Sequence, residues 1–118
     1  MKIELTATDC DDLVIHLHGE FDAAGSNAIR PTLEDVATQS QPEHVFLDLH
    51  EVSFIDSSGV GAIVFLYKRL RENGRSLRII GARGQARDLL EMLRIHKAIP
   101  MVFANANATT TEAMSCSA

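Results

Sequence analysis

Phe54-Ile55-Asp56-Ser57-Ser58-Gly59-Val60-Gly61 joins two apolar segments of different period. Before it, residues 44–49 alternate: Val45, Leu47 and Leu49 share one face, and Phe46 and Asp48 share the other. That is the pattern of a strand covered by helices on one side. After it, Val60, Ile63, Val64, Tyr67 and Leu70 recur at helical spacing, with Leu66 at the border of the stripe. The spacing predicts a helix over 60–73, closed by Gly74. The quoted stretch is thus a strand-to-helix junction carrying two hydroxyls, a carboxylate and two glycines. The first free N–H groups of the helix point back at the serines, and such a mouth can seat a phosphate. The same residues also make an ordinary helix cap, with Gly59 and Gly61 permitting a tight turn. Local sequence leaves both readings open.

Working outward, residues 2–8 alternate as an edge strand, and Asp9-Cys10-Asp11-Asp12 forms a turn by composition. Residues 13–18 make a stronger strand, with Leu13, Ile15 and Leu17 on one face and Val14, His16 and His18 on the other. The two imidazoles are close enough to share a metal, but no third ligand is apparent, and a solvent-facing strand side accounts for them more simply. Gly19-Glu20-Phe21-Asp22 ends the strand. Ala23–Thr38 reads as a helix capped by Asp22 or Ser26, with Ile29, Leu33, Val36 and Ala37 as its stripe. Pro31 falls inside that window, which allows a start near Arg30 with proline in the first turn.

Beyond the junction, residues 77–80 read as a short strand. Residues 84–94 carry Ala86, Leu89, Leu90 and Leu93 at helical spacing, and 99–103 form a short last strand. From residue 104 the composition turns to Asn, Ala and Thr without an apolar stripe. One domain over 1–103 and a tail over 104–118, weakly helical or disordered, are expected. The element order is β-β-α-β-α-β-α with a possible short final element. The β-α-β pieces demand right-handed crossovers, and the first two strands pair antiparallel across their short turn. The fold class is α/β, a mixed sheet with helices mainly on one face.

The totals narrow the function. A chain of 118 residues, 46% hydrophobic and 23% charged, builds one ordinary core. The net charge of −5 argues against a general nucleic-acid or anionic-membrane surface. Basic residues between Lys68 and Arg94 are interrupted by Glu72, Asp88 and Glu91, as on a solvated helical face. Cys10 and Cys116 form no close-spaced ligand motif. Met1-Lys2-Ile3-Glu4 lacks the apolar core of a signal peptide, and no apolar run is long enough to span a bilayer. A soluble cytoplasmic protein is expected, with no cofactor and no direct nucleic-acid partner.

Residues 46–49 followed by 52–61 resemble the signature of STAS domains, in particular the bacterial anti-sigma factor antagonists. Gly19-Glu20-Phe21-Asp22 is similar to that family's Gly-Glu-hydrophobic-Asp corner after the second strand, and the spacing between the two motifs agrees. The resemblance covers about residues 3–103. It implies a STAS-like sheet with helices on one face and a function by partner switching. The unmodified protein would bind an anti-sigma factor that is also a serine kinase, phosphorylation would release it, and a serine phosphatase, with metal ions of its own, would reset it. The family's phosphoacceptor is the serine after the motif's aspartate, Ser57 here, with Ser58 as the fallback. Asp22, Asp56, Ser57, Ser58, Gly59 and Gly61 then form the partner surface. Phe65 falls outside the apolar stripe, one turn from Ser57, and is expected to be exposed and to join that surface.

Other functions fit less well. Ser57 and Ser58 are not in a nucleophile-elbow context, and His50 is merely the nearest histidine in sequence, so no enzyme is expected. An aspartate-phosphorylated receiver domain needs acidic residues at strand C-termini, whereas Asp11 and Asp12 precede their strand. No lysine comes directly after 77–80. A non-switching STAS subunit of a transport or sensory assembly is the remaining alternative, since a fold alone does not separate such functions.

Overall fold

The computed structural model describes residues 1–103. Strands β1 (Lys2–Ala7) and β2 (Leu13–Phe21) precede α1 (Ala23–Thr38), β3 (His44–Ile55) and α2 (Ser57–Glu72). Then come β4 (Ser76–Ala82), α3 (Gly84–Met92), a 3-10 turn (Ile95–Lys97) and β5 (Met101–Phe103). The strands lie side by side in chain order, β1 antiparallel to β2 and the other neighbours parallel. Parallel crossovers that all step in one direction with one hand put their helices on one face. The burial agrees. Ile29 and Leu33 of α1, Leu66 and Leu70 of α2, and Ala86 and Leu90 of α3 share one core with Ile15, Leu47 and Ile79 of the sheet. On the opposite face Val14, Phe46 and Ile80 form a small cluster of their own.

Several elements depart from the sequence expectation. α1 spans Ala23–Thr38 as expected, but the later start near Arg30 that proline allowed is not taken, and Pro31 lies in its interior. Proline there removes one helical hydrogen bond and costs about 3 kcal/mol. Ile29, Leu33 and Val36 are buried on both sides of it, and each such side chain contributes about 1.5–3 kcal/mol, so packing outweighs the break. Asp22 is the cap, its carboxylate accepting from Gly25 N–H at 2.8 Å. Ser26 is instead buried within the helix.

β2 and β3 both run further than expected, to Phe21 and Ile55. Their pairing shifts register between His16 and His18 and again between Gly19 and Glu20. The buried positions of β3 therefore go from alternation at Val45, Leu47 and Leu49 to wider steps at Val52 and Ile55. α2 begins at Ser57 rather than at 60, and Leu66 is fully buried while Val64 and Tyr67 are half-buried. α3 stops at Met92 because Arg94 takes a left-handed conformation with φ 57°. The tail expected over 104–118 lies outside the described residues.

One structural residue has no sequence signal. Arg75 is 4% exposed and donates to the carbonyls of Pro42, Val36 and Gln39 at 2.6, 2.7 and 2.6 Å. It closes the C-terminal end of α1, where a positive charge meets the helix dipole favourably. Burial lowers its pKa by desolvating the guanidinium.

His16 and His18 do share the helix-free face, but His16 is committed to neighbouring strands. Its Nδ1 lies 2.9 Å from Asp48 Oδ2, and its Nε2 lies 2.9 Å from Thr6 Oγ1. A carboxylate only accepts, so the bond to Asp48 is donated by Nδ1, while the threonine hydroxyl is able either to donate to Nε2 or to accept from it.

Candidate functional site

Phe21 and Ile55 are paired neighbours in β2 and β3, and the residue after each is an aspartate that caps a helix. Adjacent strands lie about 4.8 Å apart. The two motifs that are distant in sequence therefore meet at one end of the sheet, with α1 and α2 starting side by side. The Asp56 N–H donates to the Phe21 carbonyl at 3.3 Å, which ties the two starts together.

Asp56 Oδ1 accepts from Ser58 N–H at 2.8 Å and Gly59 N–H at 3.2 Å. Ser57 is the first residue of α2 and is exposed, as is Ser58. Among the described residues nothing bonds the Ser57 hydroxyl. Gly59 is buried directly below them, where an added Cβ would strike the Phe21 carbonyl. The helix mouth is thus already occupied by the Asp56 carboxylate. A phosphate on Ser57 would find two of the first N–H groups spent and a negative charge beside it, which directs it outward to solvent. That sharpens the expectation of a phosphate seat: the helix dipole favours the group, but Asp56 holds the nearest donors.

Between α1 and α2 runs a groove of about 310 Å³. Ser58, Gly61, Ala62 and Phe65 line its α2 side, and Ala23, Ser26, Asn27, Arg30, Leu33 and Glu34 line its α1 side. Phe65 is 37% exposed, as expected, and the Arg69 guanidinium sits 5.5 Å from its ring centroid. That separation suits a cation–π contact, which leaves the other ring face and edge for a partner. Ser58, Gly61 and Phe65 therefore share one wall. Asp22 and Asp56 lie at the groove's head as caps, and Gly59 is structural support beneath it. The α1 wall was not foreseen. Ala23, Asn27 and Arg30 are exposed residues outside the apolar stripe, and their only sequence signal is that α1 directly follows the Gly19–Asp22 corner.

Comparison with known proteins fits this arrangement. The STAS domain family matches residues 2–112. The chain belongs to the STAS domain family. This STAS chain is 31% identical over 98 residues to the anti-sigma F factor antagonist of Paenibacillus polymyxa, covering 83% of this chain and 84% of that protein. It belongs with the anti-sigma factor antagonists, which are regulatory proteins rather than enzymes. Among solved structures, an anti-sigma factor antagonist from Mycobacterium paratuberculosis superposes with a TM-score of 0.78 at 22% identity, covering 97% of this chain and 94% of that one. The Bacillus cell fate determinant SpoIIAA in its phosphorylated form gives 0.69 at 21% identity, with 89% and 93% covered. Both likenesses show the same fold. Among the described residues, no helix of the STAS domain is long and apolar enough to cross a membrane.

Proposed function

We propose that this STAS domain antagonises an anti-sigma factor by partner switching, with Ser57 as the switch. The unphosphorylated chain binds an anti-sigma factor that is also a serine kinase. The kinase phosphorylates Ser57, the phosphorylated chain dissociates, and a serine phosphatase restores the binding form. The observation that carries this reading is the exposed, unbonded Ser57 hydroxyl at the first position of α2, beside a groove edged by the exposed Phe65. The existence of a phosphorylated form of SpoIIAA, which has the same fold, supports it.

The physics of the switch is local. Phosphorylation adds about −1.5 to −2 charge at pH 7. On the free protein that charge sits at a helix N-terminus and in water, both of which favour it. In a packed complex it must be desolvated next to the Asp56 carboxylate, with Asp22 on the adjoining strand end. Removing only about 2.8 kcal/mol of binding weakens a complex about 100-fold. No change of fold is required.

Titration calorimetry of wild type and Ser57→Asp against the anti-sigma factor tests the switch. Weakening by about 100-fold is expected, and an unchanged affinity contradicts the reading.

A further inference from the structure

β4 leaves β3 before β3 ends. Their last paired positions are Ile80 and Asp48. Gly81 then takes a φ of 74° against Asp48 and His50, and the chain turns away. Among the described residues, β3 continues to Ile55 with β2 on one side and no strand on the other. Two side chains stand in for the missing strand. Arg83 Nε donates to the His50 carbonyl at 3.0 Å. Gln85, in the first turn of α3, takes both backbone groups of Ile55: Ile55 N–H donates to Gln85 Oε1 at 2.9 Å, and Gln85 Nε2 donates to the Ile55 carbonyl at 2.8 Å.

The second of these bonds bears on the switch. The Ile55 carbonyl and the Asp56 N–H belong to one rigid peptide plane. Gln85 holds the carbonyl end of that plane, and the Phe21 carbonyl holds its N–H end. The plane is pinned from both sides immediately before the cap residue and the first residue of α2. A side-chain amide of this length offers a donor and an acceptor on two neighbouring atoms, matched to the two backbone groups of Ile55. An ionised glutamate has no donor for the carbonyl, methionine has neither group, and asparagine is one methylene shorter.

We infer that Gln85 is a positioning residue for phosphoryl transfer to Ser57. It sets the attitude of the junction so that the Ser57 hydroxyl meets the phosphoryl donor in line. The inference rests on Ser57 being the acceptor. In that step Ser57 Oγ bonds to the γ-phosphorus of ATP and the bond to the departing ADP oxygen breaks. The hydroxyl proton passes to a base on the kinase. Docking is a separate matter, because the α1–α2 groove is lined without Gln85. Losing the clamp should therefore slow transfer more than it weakens binding. A misplacement of about 1 Å costs on the order of 100-fold in rate.

The test is steady-state phosphorylation of full-length wild type, Gln85→Met and Gln85→Glu by the anti-sigma factor kinase of the same organism. Rates are taken per folded protein, below the melting transition of each variant, so a loss of stability alone does not register. Both variants should lose about 10- to 100-fold in kcat, with KM within about threefold of wild type. A wild-type kcat in both variants overturns the inference, and so does a loss confined to KM. Phosphosite mapping of the wild type separates the two readings. Phosphate on Ser57 together with unimpaired Gln85 variants overturns the positioning role alone, whereas no phosphate on Ser57 overturns both.

Discussion

Gly59 and Gly61 stand in the same turn of α2 and do different things. A Cβ on Gly59 would strike the Phe21 carbonyl and lie 2.7 Å from Ile55 Cγ1 and 2.9 Å from Phe21 Cγ. Among the described residues, a Cβ on Gly61 would meet nothing within 4 Å, and Gly61 lines the groove. Gly59→Ala should therefore cost about 1–3 kcal/mol in chemical denaturation, from overpacking. Gly61→Ala should leave stability unchanged or raise it by roughly 0.5–1 kcal/mol, since alanine suits a helix better. The same change should weaken partner binding, because it puts a methyl group on the docking wall. The sequence shows two glycines at a helix start and no difference between them. The difference is made by Phe21, which arrives from another strand. A cap for α2 was legible only as the group Asp56-Ser57-Ser58-Gly59, and Asp56 is singled out by the start of α2 at Ser57, where its carboxylate accepts the first N–H groups. Asp56→Ala should cost about 1 kcal/mol in the same measurement.

Strands and helices are legible in the chain where period and register agree, and hidden where they part. The alternation over 44–49 announced a strand, but the remainder of β3 was hidden because two register shifts against β2 move its buried side chains out of alternation. α1 was legible from its stripe, and only Pro31 obscured where it begins. Neither Arg75 nor Gln85 was legible as a structural residue, since the carbonyls they bind belong to remote segments. Arg75→Met should be costly. It strips the guanidinium from the Pro42, Val36 and Gln39 carbonyls; Val36 keeps the Gln39 N–H, and each buried group left unsatisfied costs about 1–3 kcal/mol. A loss of at least about 2 kcal/mol in urea denaturation is expected, with phosphorylation kinetics unchanged below the melting transition. A stability close to wild type would show that water replaces the guanidinium fully.

Across the whole molecule, the site is a product of topology. Strand order equal to chain order places α1 and α2 next to each other on one face, and the Phe21–Ile55 pairing brings their starts together. The two sequence motifs mark those starts, which is why the head of the site could be read from the chain. The groove behind it could not, because the exposed part of its α1 wall, Ala23, Asn27, Arg30 and Glu34, follows no apolar pattern. Phe65 was legible as a residue outside the stripe, and its 37% exposure bears out that placement. Phe65→Ala should leave the fold intact and cost about 1 kcal/mol, since most of the ring is covered, which lowers the melting temperature by roughly 3–6 °C. It should weaken the anti-sigma factor complex by at least tenfold, about 1.4 kcal/mol.

In the proposed function a single hydroxyl, that of Ser57, carries the switch. Its most direct test is to incubate the protein with ATP and the anti-sigma factor kinase and to locate the added phosphate by mass spectrometry. One phosphate on Ser57, absent from Ser57→Ala, is the predicted result. Phosphate on another residue, or undiminished labelling of Ser57→Ala, would contradict it.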